Sequence, residues 1–74
     1  MSRTLVASYH YGVKLDPHKD GDYLGYVKEF TKLTVREHSE KAALQGIKEL
    51  TRDLIADFKK YQIPVPRPGE IAQV

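Results

Sequence analysis

The segment from Glu40 to Tyr61 constrains this chain more than any other. Ala43, Ile47, Leu50, Leu54, Phe58 and Tyr61 recur at spacings of four, three, four, four and three, while Gln45, Lys48, Arg52, Lys59 and Lys60 lie off that stripe. A period of this kind is that of a helix with one apolar side. Ser39 stands where an N-cap oxygen can accept from free backbone N–H groups, and Glu40 suits the positive end of the helix dipole. Lys59 and Lys60 suit the negative end, and Pro64 and Pro66 prevent continuation. A helix of about 21 residues is about 31 Å long. It cannot bury its stripe alone, so the preceding residues must provide a surface that covers it.

Those residues alternate. From 4 to 15, Leu5, Ala7, Tyr9, Tyr11, Val13 and Leu15 fall on one side, and Val6, Ser8, His10, Gly12 and Lys14 on the other. This is the pattern of a half-buried strand. The stretch Asp16-Pro17-His18-Lys19-Asp20-Gly21 carries the residues of a hairpin loop. A second strand is expected over Tyr23 to Phe30. Its two sides, Tyr23, Gly25, Val27, Glu29 and Leu24, Tyr26, Lys28, Phe30, do not reveal which faces inward. Gly25 within it marks either a bulge or a close approach to the backbone. A shorter third strand is expected over 33–37, with Leu33, Val35 and Glu37 alternating with Thr34 and Arg36. The expected fold is therefore α+β: a three-stranded antiparallel sheet covered on one face by one long helix (βββα), with a short extended Pro-rich segment after it. Residues 1–68 read as one domain and 69–74 as a flexible tail.

With 74 residues there is room for one core, and 41% apolar with 30% charged residues is a globular composition. There is no cysteine, so neither disulfides nor thiolate metal sites contribute. Met1-Ser2-Arg3-Thr4 lacks the apolar stretch of a signal peptide, and no segment approaches the ~20 apolar residues of a membrane span, so a cytoplasmic location and no membrane partner are expected. The net charge is +2, and in the helix Lys41, Lys48, Arg52, Lys59 and Lys60 are interleaved with Glu40, Glu49, Asp53 and Asp57. That balance disfavours a dedicated nucleic-acid surface, which calls for clustered cations.

The residues show no chemistry-bearing constellation. His10, His18 and His38 form no pair spaced to ligate a metal from one face, and Asp16, Asp20 and Asp22 are interrupted by Pro17 and lack the twelfth-position carboxylate of a calcium loop, Val27 standing there. These aspartates are read as a solvated hairpin tip. No nucleophile elbow, phosphate loop or paired-carboxylate motif accompanies the serines and threonines. No enzymatic activity, cofactor or metal is expected. The five tyrosines, Tyr9, Tyr11, Tyr23, Tyr26 and Tyr61, exceed what a thin core can bury, and exposed tyrosines are enriched at interfaces. One sheet face and at least one strand edge stay open to a partner.

Asp20-Gly21-Asp22-Tyr23-Leu24-Gly25-Tyr26-Val27, Ser39-Glu40-Lys41-Ala42-Ala43-Leu44 and Ile63-Pro64-Val65-Pro66 occur in an order that resembles the N-terminal domain of the HicB antitoxin family. The resemblance implies a partial RNase H-like βββα fold without nuclease activity and a role in neutralising a small HicA-type mRNA-cleaving toxin. Two departures stand out. Family members usually carry a glycine in a Gly-Asp-Thr-like turn before the helix, where this chain has Arg36-Glu37-His38-Ser39, so the turn must be built differently. Many also carry a C-terminal operator-binding domain, for which these residues leave no room, so autoregulation through such a domain is not expected here.

The expected function is thus that of an antitoxin-like protein inhibitor. Its partner-binding residues are expected among Tyr23, Tyr26, Lys28, Glu29, Arg36 and Glu37, and its partner is a small protein toxin or another protein target. A homodimer or higher oligomer is expected beside it. Two rivals stand: a nucleic-acid-binding module, less favoured, which requires aromatics and cations such as Lys28, Lys32 and Arg36 on the same face, and a self-associating structural domain.

Overall fold

A computed structural model of the chain describes residues 9–70. Three strands, β1 (Tyr11–Leu15), β2 (Tyr23–Val27) and β3 (Thr34–Glu37), are followed by one helix, α1 (Glu40–Lys60). The sheet is antiparallel in the order β1-β2-β3. Tyr11 lies opposite Val27, Gly12 opposite Tyr26 and Val13 opposite Gly25, while Tyr23 lies opposite Glu37 and Tyr26 opposite Thr34. The helix packs on all three strands, most heavily on β2. The α+β architecture expected from the sequence is the one observed.

The strands are shorter than the alternation suggests. β1 begins at Tyr11, and the expected strand residues 4–8 lie outside the described residues. Tyr9 is nevertheless buried, continuing the inward series Tyr11 and Val13, whereas Leu15 at the far end is 67% exposed because the helix does not cover it. β2 stops at Val27: Phe30 N–H donates to the Val27 carbonyl and Leu33 N–H to that of Phe30, so 28–33 are spent on turns. The inner side of β2 is that of Gly25 and Val27. Gly25 is a close approach, not a bulge: a Cβ there would overlap the Ala43 carbonyl of the helix backbone. Its bare Cα lets helix and sheet meet at this point.

The core comprises Tyr9, Val27, Phe30, Ala43, Ile47, Ile55 and Phe58. Phe30 is its aromatic pivot, meeting Tyr9 edge to face at 5.7 Å and Phe58 at 5.9 Å between centroids, the geometry that ring quadrupoles favour. Burying side chains such as Ile47 or Val27 stabilises the fold by about 2 kcal/mol each.

The helix begins as expected, with Ser39 Oγ accepting from Ala42 N–H at 3.1 Å. No glycine is needed in this turn, because β3 runs to Glu37 and extended Ser39 caps directly, while His38 Nδ1 anchors the crossing to Asp22 Oδ1 at 2.8 Å. The buried stripe is shifted from the expected one. Ala43, Ile47, Thr51, Ile55 and Phe58 are buried, Leu50 and Leu54 flank them half-buried, and Tyr61 is 65% exposed. Steps of four drift around the helix, and Thr51 tolerates the centre because its hydroxyl donates to the Ile47 carbonyl at 2.7 Å. Tyr61 is the C-cap, where the backbone leaves helical geometry. Gln62 then takes φ +59°, and Gln62 N–H and Ile63 N–H donate to the carbonyls of Lys59 and Phe58. This is a Schellman closure with glutamine where glycine is commonest.

After the helix the chain runs without regular structure through 63–67 and returns across the end of the core. Val65 packs against it, and the Tyr9 hydroxyl donates to the Pro66 carbonyl. Gly69, expected to open a flexible tail, donates its N–H to Glu29 at 2.6 Å. Residues 71–74 lie outside the described residues.

Candidate functional site

Alternation along the strands sorts side chains onto two faces. On the side away from the helix stand Gly12 and Lys14 of β1, Leu24 and Tyr26 of β2, and Thr34 and Arg36 of β3. His10 and Lys28 extend this face, joined by the bond from Lys28 N–H to the His10 carbonyl at 2.9 Å. An open groove of about 500 Å³ runs here, its lining including His10, Lys14, Leu24, Tyr26, Lys28 and Thr34.

Tyr26 occupies the middle of the face and is 39% exposed. The far end of its ring fills the space that a Cβ on Gly12, directly opposite, would occupy. The ring therefore lies down across β1 instead of standing off the sheet. Lys14 Nζ is 5.9 Å from its centroid, within reach of a cation–π attraction.

The acidic side chains at the loop end of this face, Asp16 and Asp22, are buried and already engaged. Arg36 is neutralised at its margin, where its Nε pairs with Oδ2 of buried Asp16. Asp16 Oδ1 also accepts from His18 N–H at 2.8 Å. That backbone bond, and after it Arg36, hold the Asp16 carboxyl below its ordinary range against the opposing effect of burial. Asp22 is likewise buried and meets His38, so of the three loop aspartates only Asp20 is solvated. The expectation of a wholly solvated tip is corrected: two of its carboxylates organise the loop from within.

Glu29 is also internal. It is 0% exposed, and Oε1 accepts from His10 N–H at 3.0 Å while Oε2 accepts from His10 Nδ1 and Gly69 N–H, both at 2.6 Å. Burial pushes its carboxyl up, but these donors outweigh burial and hold it at about 2. An ionised carboxylate can only accept, so the His10 Nδ1 position carries the proton. Glu29 thereby ties the entry to β1, the β2–β3 turn and the returning C-terminal segment together.

Of the six residues expected to meet a partner, Tyr26, Lys28 and Arg36 share the uncovered face. Tyr23 and Glu37 sit opposite one another on the helix side, half-buried, at the end of the sheet. Glu29, buried beneath His10, presents no carboxylate to a partner. Sequence reasoning missed Lys14 and Leu24 as members of the face. Lys14 was legible in the β1 alternation beside His10 and Gly12, but its meeting with Tyr26 depends on the register between strands.

No protein-family model, curated protein or solved structure matches the chain.

Proposed function

We propose that this domain is a non-catalytic inhibitor of HicB antitoxin type, acting in the cytoplasm by binding and neutralising a small HicA-type mRNA-cleaving toxin. The observation that carries the reading is the outer edge of β3, which has no neighbouring strand among the described residues. Unpaired N–H and C=O groups along such an edge can take a strand from a partner. Glu37, half-buried opposite Tyr23 at that edge, would set register by its charge, while Arg36 on the other face is held by Asp16. The βββα order followed by a Pro-rich return also supports the reading, because it is the arrangement that the HicB resemblance implies. Among the described residues no helix is long and apolar enough to cross a membrane.

The test is to recover the tagged chain from its native host at moderate salt, with and without nuclease. The expected companion is a small protein in stoichiometric amount, insensitive to nuclease, which cleaves mRNA alone and stops when the purified chain is added back. Glu37→Lys should weaken that complex tenfold or more. Recovery of the chain only as its own dimer or larger assembly overturns the proposal in favour of a self-associating structural domain.

A further inference from the structure

We propose that the uncovered sheet face is a binding site for single-stranded RNA, with one base stacked on Tyr26 and the adjoining phosphates held by Lys14 and Lys28. This goes beyond the inhibitor reading, which uses the β3 edge and stands or falls separately.

Charge complementarity names the class of ligand. The face presents His10, Lys14, Lys28 and Arg36, and the carboxylates at its loop end, Asp16 and Asp22, are buried and paired with Arg36 and His38. Asp16 already neutralises Arg36, and Glu29 already engages His10. Lys14 and Lys28 form no ion pair among the described residues, so they are the cations available to a polyanion, and both line the groove that holds Tyr26.

The ring decides which polyanion. The end of the Tyr26 ring lies over Gly12 with the residue 39% exposed, and base–aromatic stacking works on any base because each has a π-face. A carboxylate-rich peptide would use the lysines and leave the ring bare. A duplex keeps its bases stacked on one another and cannot offer one to a single ring. Thr31 and Thr34 line the same groove, and their hydroxyls can meet the 2′-OH by which RNA differs from DNA.

The experiment is an anisotropy titration of the full chain against fluorescein-labelled oligouridylate over a range of salt, with oligothymidylate, duplex RNA and polyglutamate as competitors. Two phosphate contacts predict a slope of log K against log salt of about −1.4. Lys14→Gln or Lys28→Gln should each halve that slope, and Tyr26→Ala should weaken binding about tenfold while Tyr26→Phe preserves it. Circular dichroism checks that each variant is folded; if Tyr26→Ala is not, the two exposed lysine variants still decide the matter. Absence of binding by the folded chain overturns the proposal, as does an unchanged affinity in folded Tyr26→Ala or an unchanged slope in both lysine variants. Equal competition by polyglutamate, duplex or oligothymidylate overturns the assignment to single-stranded RNA.

Discussion

Gly12 and Gly25 occupy neighbouring positions of the same sheet on opposite faces, and neither has room for a Cβ. What fills the space differs. At Gly25 it is the Ala43 carbonyl, part of the helix backbone; at Gly12 it is the end of the Tyr26 ring. The first neighbour cannot yield without moving α1 off the sheet, whereas the second can swing about its side-chain torsions. Identical residues therefore serve stability on the covered face and side-chain presentation on the open one.

The sharpest way to break this contrast is Gly25→Ala. Forcing a methyl against helix backbone should cost about 3 kcal/mol, at the upper end of overpacking effects, read as a lower urea midpoint. A midpoint unchanged from the parent would mean that the helix is not held at that distance.

Next in size is the buried Glu29. Its folded-state value of about 2 lies below the 4.5 of an unperturbed glutamate. Its contribution, on the order of 3 kcal/mol, is therefore complete above about pH 4.5 and drains away as pH falls toward 2. Glu29→Gln should destabilise by about 2 kcal/mol at neutral pH, because the donors of His10 and Gly69 lose their anionic acceptor, and should flatten the melting-temperature profile between pH 5 and pH 2. A profile as steep as that of the parent would assign the acid sensitivity elsewhere.

At the end of α1, Gln62→Gly should gain about 1 kcal/mol, since glutamine there sustains φ +59°; thermal unfolding reads the gain, and a loss would indicate that the Gln62 side chain contributes contacts of its own. The smallest stability effect is expected from Gly12→Ala, under about 1 kcal/mol because the ring moves aside. Its signature lies in the Tyr26 ring resonances, which should shift far more than those of Phe30 or Phe58. A cost as large as that of Gly25→Ala would erase the distinction between the faces.

Much of the architecture is readable in the residues themselves. The helix, its Ser39 cap and its end before Pro64 follow from short-range rules, because capping and periodicity involve residues a few positions apart. The existence and order of the strands follow from alternation and from the Asp-Gly loop. The stripe was less legible: Thr51 looks polar in sequence, and only its hydrogen bond to Ile47 explains its burial at the helix–sheet contact. Glu29 looked like a surface charge for the same reason, since the donors that make it an internal clasp come from residues 19 and 40 positions away.

By itself, then, the sequence determined that this chain is a three-stranded sheet with one amphipathic helix followed by an extended Pro-rich segment, because those features depend on local sterics, capping and the periods of helix and strand. Only the tertiary structure decided which side of β2 faces the helix, that Tyr26 lies across Gly12, and that Lys14 and Lys28 share the uncovered face with Arg36, whose charge Asp16 takes up. Those outcomes depend on strand register, and a shift of one residue would exchange every side chain between the two faces.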